Sequence, residues 1–278
     1  MIWGLWMVWT AAAAPSAADL ARRHPKRPVV IAHRGASLDA PENTLAAYRE
    51  AIRQGATAAE TDVHLTNDGQ VVVLHDRTLK RTTDGKGLVR KWTLADVQAL
   101  DAGTWFGAQF SAERVPALSE LLSVVRDQAV LCVEIKAAPE RGGEHIASKI
   151  AGLLDASGGR DQAIIFSFYP QQVMASKAAM PDVPALFLVQ PIDGPVPYTT
   201  GLLTMARSIG ADMIGLDYRG TTPEFVAQAQ SAGFPVFVYT VDAPADIDAM
   251  VKAGVDGIIT NAPGRTSEIL SEVTRASQ

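Results

Sequence analysis

Four short blocks of this 278-residue chain carry side chains suited to proton transfer and charge neutralisation. They are His33-Arg34-Gly35, Glu60-Thr61-Asp62, His75-Asp76 and Glu134-Ile135-Lys136. In the second and fourth blocks the polar residues are two apart within apolar runs, AAETDVHL and VLCVEIK. Residues two apart on a strand share a face, so Glu60 pairs with Asp62, and Glu134 with Lys136. Ionised carboxylates in such runs are costly unless a cation meets them. Glu60, Asp62 and Glu134 offer oxygen ligands only, a set that suits a hard divalent ion, Ca2+ or Mg2+, completed by water or substrate oxygen. The competing account is a buried salt-bridge network in which Arg34 and Lys136 supply the positive charge. His33 and His75 weigh against it. Imidazole titrates near neutrality, and with an ion between them one histidine can deprotonate a nucleophile while the other protonates a leaving oxygen. Arg34 and Lys136 are then two fixed cations matched to a phosphate.

These blocks must be delivered by strand ends. Val- and Ile-rich runs at Val29–Ala32, Ala58–Val63, Val71–Leu74, Val130–Ile135, Ala163–Phe168, Ala185–Val189, Met213–Leu216, Val236–Thr240 and Gly257–Thr260 alternate with helical patterns. The joints QGATAAE, IGADMIG, AGFPVF and AGVDGII each place Gly where a helix stops before a buried strand. Asn43, Thr93 and Thr222 read as helix N-caps. Only Asn67-Asp68-Gly69 separates the second run from the third, too little for a parallel crossover, so these two form a hairpin. Eight strands remain, and the fold expected is a (β/α)8 TIM barrel, an α/β architecture. A hairpin and a small insertion, about residues 77–116, follow its second strand, and this excursion is expected over the barrel mouth. A Rossmann-like open sheet is disfavoured because no G-x-G-x-x-G follows the first strand. Barrel active sites lie at the C-terminal strand ends, where all four blocks fall. Cys132 shares the inward parity of Glu134 and reads as barrel filling. His24, His145, Lys80, Arg81, Lys86, Arg90 and Lys91 read as solvated, with contact to a polar head group the alternative for one or two of the excursion's five cations, and His64 is left without a role.

With 47% hydrophobic and 20% charged residues the chain has material for a packed core. A net charge of −5 argues against a nucleic-acid partner. The single cysteine excludes an internal disulfide and a multi-cysteine zinc site. Residues 1–18, MIWGLWMVWTAAAAPSAA, hold no charged side chain. They are short for a span of about 20 residues and fit a secretory signal peptide cut before Asp19. The expectation is an exported protein, periplasmic or secreted, with the catalytic domain over 19–278 and no membrane span in the mature chain.

IAHRGASLDAPENTLAAY, AAETDVHLTNDGQVVVLHD, the RTTDGKG segment, VPALSELL, VEIK and GVDGIITNAPG, in this order, resemble the glycerophosphodiester phosphodiesterases, TIM-barrel enzymes akin to the phosphatidylinositol phospholipases C. The resemblance runs from about Val29 to Pro263. It implies hydrolysis of glycerophosphodiesters, such as glycerophosphocholine, to sn-glycerol 3-phosphate and an alcohol. It further implies Glu60, Asp62 and Glu134 as metal ligands, His33 and His75 as the acid/base pair, and Arg34 and Lys136 as phosphate contacts. Glu42 matches an acidic residue close to substrate. Two positions depart from the family pattern. YTVD at Tyr239–Asp242 stands where Trp-Thr-Val-Asn is frequent, and Asn261 stands where Asp is usual. The expected chemistry is metal-assisted in-line displacement at phosphorus. Its rivals are a lysophospholipase D or cyclising phospholipase on the same barrel, and a non-catalytic periplasmic protein that binds phosphorylated polyols.

Overall fold

The computed structural model describes residues 16–24, 27–136, 145–190 and 198–276. Its strands are β1 (Val29–Ala32), β2 (Ala58–Leu65), β3 (Val71–Val73), β4 (Val130–Ile135), β5 (Ala163–Ser167), β6 (Ala185–Leu188), β7 (Met213–Asp217), β8 (Val236–Tyr239) and β9 (Gly257–Thr260). Eight pair in parallel in the order β1-β9-β8-β7-β6-β5-β4-β2, and β1 pairs with β2 to close the ring. β3 is the returning arm of a hairpin, antiparallel to β2 with Leu65 opposite Val71. The fold is the (β/α)8 TIM barrel expected from the strand count.

The helices are α1 (Ala17–Leu20), α2 (Leu45–Arg53), α3 (Leu94–Gln98), α4 (Leu118–Val125), α5 (Ile146–Ser157), α6 (Pro170–Ala179), α7 (Thr200–Ser208), α8 (Pro223–Ser231), α9 (Pro244–Ala253) and α10 (Pro263–Ala276). Thr93 and Thr222 cap α3 and α8 as expected, accepting from the Asp96 and Phe225 amides. Asn43 does not cap α2. Thr44 does, and Asn43 sits one residue earlier in a left-handed conformation (φ 59°). Two adjacent residues competed for one cap, and the hydroxyl took it, freeing the amide for the barrel mouth.

The barrel interior is filled by Ile31, Cys132, Ile164, Phe166, Leu186, Met213 and Phe237. Phe237 fits because β9 begins with glycine: a Cβ on Gly257 would lie 2.1 Å from the phenyl ring. Ala17 and Leu20 of α1 pack into the same interior cluster and are buried. The expected leader, residues 1–18, lies outside the described residues as far as Pro15. Its last three residues are described, and there Ser16 caps α1. Outside the barrel the strands' other faces pack against the helices through two apolar clusters.

The excursion between the hairpin and α4 has its own small core. Leu79, Val89, Val97, Ala102 and Val115 pack with Val72 and Leu74 of the hairpin arm. Its return is pinned where Val73 N donates to Pro116 O at 2.9 Å. Among the described residues no helix is long and apolar enough to cross a membrane.

Candidate active site

Strand register brings the predicted residues together. Ala32 pairs with Ala59, which sets His33 level with Glu60, and Asp62 pairs directly with Glu134. Glu60, Asp62 and Glu134 are all buried, and one carboxylate oxygen of each lies within 4.8 Å of the others. Arg34, in a left-handed conformation (φ 56°), turns its amide onto Glu60 Oε2 at 3.0 Å. That turn needs glycine next, because a Cβ on Gly35 would lie 2.6 Å from the Ala47 carbonyl carbon. The guanidinium of Arg34 lies 3.2 Å from Asp62 Oδ2 and 2.8 Å from Glu42 Oε1. Lys136 Nζ lies 2.7 Å from Glu134 Oε1 and 3.4 Å from Asp62 Oδ1.

The salt-bridge network considered as the rival account is therefore present, but with all three carboxyls ionised it is one charge short. Arg34 and Lys136 face three buried carboxylates, and Glu42 draws on Arg34 as well. Glu60 Oε1 and Asp62 Oδ1 accept no hydrogen bond. Burial, reinforced by the Asp62 and Glu134 charges, pushes the Glu60 carboxyl well above the usual range. Glu134 is pushed up to about 7, chiefly by burial, with Lys136 only partly offsetting it. At Asp62 burial also opposes ionisation, but Lys136 and Arg34 outweigh it and hold that carboxylate low. An oxygen-only set with orphaned buried acceptors and surplus negative charge fits a hard divalent cation.

The two histidines flank this set in different ways. His33 Nδ1 lies 2.7 Å from Asn261 Oδ1. Asn261 Nδ2 donates to Asp242 Oδ2 at 2.6 Å, which fixes which end of the amide meets the ring. An amide oxygen only accepts, so His33 carries its proton on Nδ1 and presents Nε2, 4.0 Å from Glu60 Oε2. Burial and the neighbouring Arg34 lower its pKa to about 4. His75 Nδ1 instead donates to a carboxylate, Asp76 Oδ1, at 2.7 Å. Asp76 is held at about 2, first by hydrogen bonds from Arg81. His64, left without a role above, donates from Nε2 to His75 O at 3.0 Å and so positions that backbone.

Asn43 Nδ2 donates to Asp62 Oδ2 at 2.8 Å, and Tyr48 OH donates to Asn43 Oδ1 at 2.8 Å. The buried first turn of α2 thereby orients a candidate ligand. Asn43, Asn261, Asp242, Asp76, Arg81 and His64 are the site residues that sequence reasoning did not assign. All six stood inside segments already singled out, Asp242 and Asn261 as departures from the resembled pattern, but nothing there disclosed their partners. Arg81, read as solvated, is indeed exposed, but it also bridges Glu42 and Asp76.

The far side of the mouth carries two aromatic rings beside the Asp217–Arg219 ion pair. Phe168, just past β5, and Tyr239, at the end of β8, meet edge to face at 5.6 Å between centroids. Lys136 Nζ lies 5.7 Å from the Phe168 ring centre. Tyr239 OH donates to Val189 O.

Comparison with known proteins places this arrangement. The model of the glycerophosphoryl diester phosphodiesterase family matches residues 33–265. A glycerophosphodiester phosphodiesterase of Caldanaerobacter subterraneus is 37% identical over 239 residues, covering 84% of this chain and 94% of that protein. A probable glycerophosphodiester phosphodiesterase 1 of Mycobacterium tuberculosis is 36% identical over 263 residues, covering 88% and 93%. Among solved structures, a putative glycerophosphoryl diester phosphodiesterase of Silicibacter pomeroyi superposes with a TM-score of 0.83 at 30% identity, covering 92% of this chain and 97% of that one. A phosphodiesterase of Oleispira antarctica, solved with the product sn-glycerol-3-phosphate, superposes with a TM-score of 0.78 at 27% identity, covering 88% and 97%.

Proposed function

The chain belongs to the glycerophosphoryl diester phosphodiesterase family and is a phosphoric diester hydrolase, and from that premise we propose that it splits glycerophosphodiesters into sn-glycerol 3-phosphate and an alcohol by in-line displacement at phosphorus. The observation that carries this reading is the buried trio Glu60, Asp62 and Glu134 with the Nε2 atoms of two tautomer-fixed histidines beside it. The product bound in the Oleispira protein supports the same substrate class.

The family is divalent-metal dependent, and Glu60, Asp62 and Glu134 would hold the ion, Ca2+ or Mg2+. Such a cation supplies Lewis-acid polarisation of a phosphoryl oxygen. Arg34 and Lys136, already paired with the carboxylates, stabilise the charge that develops on the phosphoryl group. His33 is neutral at pH 7, and its free Nε2 is the proton acceptor for the attacking hydroxyl. Burial also lowers the pKa of His75, with Arg34 and Lys136 adding to the effect and Asp62 and Asp76 opposing it; once protonated, His75 would keep Nδ1–H on Asp76 and deliver its Nε2 proton to the leaving alkoxide. Phe168 and Tyr239 form the wall against which the carbon skeleton of the substrate packs. Glu42 orients Arg34 rather than meeting the substrate itself.

Incubation with glycerophosphocholine, with glycerol 3-phosphate measured by a coupled assay and products followed by phosphorus NMR, tests the reading. Glycerol 3-phosphate and choline are expected, with activity lost in EDTA and restored by Ca2+ or Mg2+. Full activity in chelator, a cyclic phosphate as the end product, or binding without turnover would each replace it. Export is proposed on the charge-free apolar start of the chain, and N-terminal sequencing of protein recovered outside the cytoplasm checks it: an intact Met1 there would contradict cleavage.

A further inference from the structure

Arg81 comes from the excursion, not from the barrel, yet it ends in the mouth. Its guanidinium meets two carboxylates at once. Nε and Nη2 donate to Asp76 Oδ2 and Oδ1 at 2.9 and 3.0 Å. Nη1 and Nη2 donate to Glu42 Oε2 and Oε1 at 2.6 and 2.7 Å. Both are two-point contacts, a geometry that the planar guanidinium allows and an ammonium does not. Each carboxylate has a further partner inside the site. Asp76 accepts a hydrogen bond from His75 Nδ1, and Glu42 accepts one from Arg34, which reaches Asp62. A single chain of charges therefore runs His75–Asp76–Arg81–Glu42–Arg34–Asp62.

We propose that Arg81 is a positioning residue for His75: it clamps Asp76 and Glu42 together, so that Asp76 holds the imidazole in its Nδ1–H tautomer at a fixed distance from the carboxylate trio. The inference rests on the proton-transfer role given to His75 above, but its geometry does not depend on that role. Asp76 has two oxygens and one loop neighbour to hold. Without Arg81, the hydrogen bond from His75 is the one other side-chain contact of Asp76 among the described residues, and a carboxylate that swings away releases His75 Nδ1. The insertion thereby becomes part of the catalytic arrangement. The residues that would bind the cation lie at the far end of the same chain of charges.

Full-length protein labelled with 15N at histidine and loaded with Mg2+ tests this by long-range 1H–15N spectra, which report each ring's tautomer, together with steady-state kinetics. In the wild type His75 should show the Nδ1–H form. In Arg81→Ala a substantial Nε2–H population should appear at His75 while His33 stays unchanged, and kcat should fall about 10–100-fold, the usual cost of losing a supporting partner, with KM moving far less. Asp76→Asn should reproduce the tautomer change, and Arg81→Lys, which keeps the charge but loses the fork, should restore it only in part. Should Arg81→Ala fail to fold, Arg81→Gln carries the same comparison. Unaltered His75 tautomers in the folded variant overturn the proposal, whatever happens to kcat. A wild type without turnover would instead sink the proposed reaction, and a tautomer shift in the variant would still uphold the clamp.

Discussion

The two sides of the barrel mouth use the same backbone for opposite purposes. Glu60 and Asp62 within β2, Glu134 of β4, and His33 and Lys136 just past β1 and β4 make up one side. On the other side, beyond β5 and at the end of β8, stand Phe168 and Tyr239, with Leu188 of β6 packed in the same interior cluster. Strand alternation points side chains inward on both sides, so the difference lies in residue type alone. The aromatic side supports itself by packing. The charged side does not: its carboxylates need Arg34, Lys136, Asn43 and, by charge count, an added cation. The proposed chemistry thus gathers where the fold is electrostatically unfinished, and the proposed substrate wall lies where it is finished.

That contrast predicts different kinetic signatures. The largest effect is expected from His33→Ala or His75→Ala, each lowering kcat by about 10²–10⁴-fold with circular dichroism unchanged. Near-normal turnover in either folded variant would remove that histidine from the chemistry.

The supports of the charged side should matter next. Asn261 and Asp242 are in contact, so the departures that the resemblance suggests at these two positions would form one exchanged pair. Asn261→Asp alone sets a second carboxylate against Asp242 and should cost roughly 10–100-fold in kcat. Adding Asp242→Asn should recover most of that loss. If the double variant is no better than the single, the pair does not act as a unit.

Stability should follow pH in a way peculiar to this side. Glu134 is ordinarily an acid of pKa 4.5 and is pushed up to about 7 in the folded, cation-free protein, chiefly by burial. The folded state then binds the proton more tightly than the unfolded one, so its contribution to stability is present below pH 4.5 and lost as pH rises through about 7. A cation displaces that proton. The Tm gain on adding Ca2+ or Mg2+ should therefore widen between pH 5 and 8 on the order of this titration. A gain independent of pH over that range would contradict the assignment of Glu134 as a ligand.

The smallest effects belong to the aromatic side. Phe168→Leu or Tyr239→Phe removes an edge-to-face partner or a hydroxyl contact worth ~1 kcal/mol, roughly fivefold in KM, with kcat little changed. The change should differ between glycerophosphocholine and glycerophosphoethanolamine. A kcat defect as large as that of the histidine variants would erase the distinction between the two sides.

The charged side was the more readable in the sequence. Glu60, Asp62 and Glu134 stood out because strand parity is strict and acids in apolar runs demand an explanation. The hairpin was legible from the shortness of Asn67–Gly69, and the barrel from the count that followed. The supporting residues were not legible. Asn43 and Arg34 reach their partners through left-handed backbone that tertiary packing imposes. Asn261 acts across 228 residues on His33, and Arg81 across 39 on Glu42. Nothing local distinguishes Arg81 from its solvated neighbours Lys80 and Lys86, since only the folded excursion brings it to two carboxylates.

Crystals grown with Mn2+ test most directly, through an anomalous difference map, whether a cation sits among the three carboxylates. One dominant peak is expected about 2.0–2.4 Å from an oxygen of each of Glu60, Asp62 and Glu134. No peak there, with Arg34 and Lys136 still closing on the carboxylates and turnover intact, would contradict it.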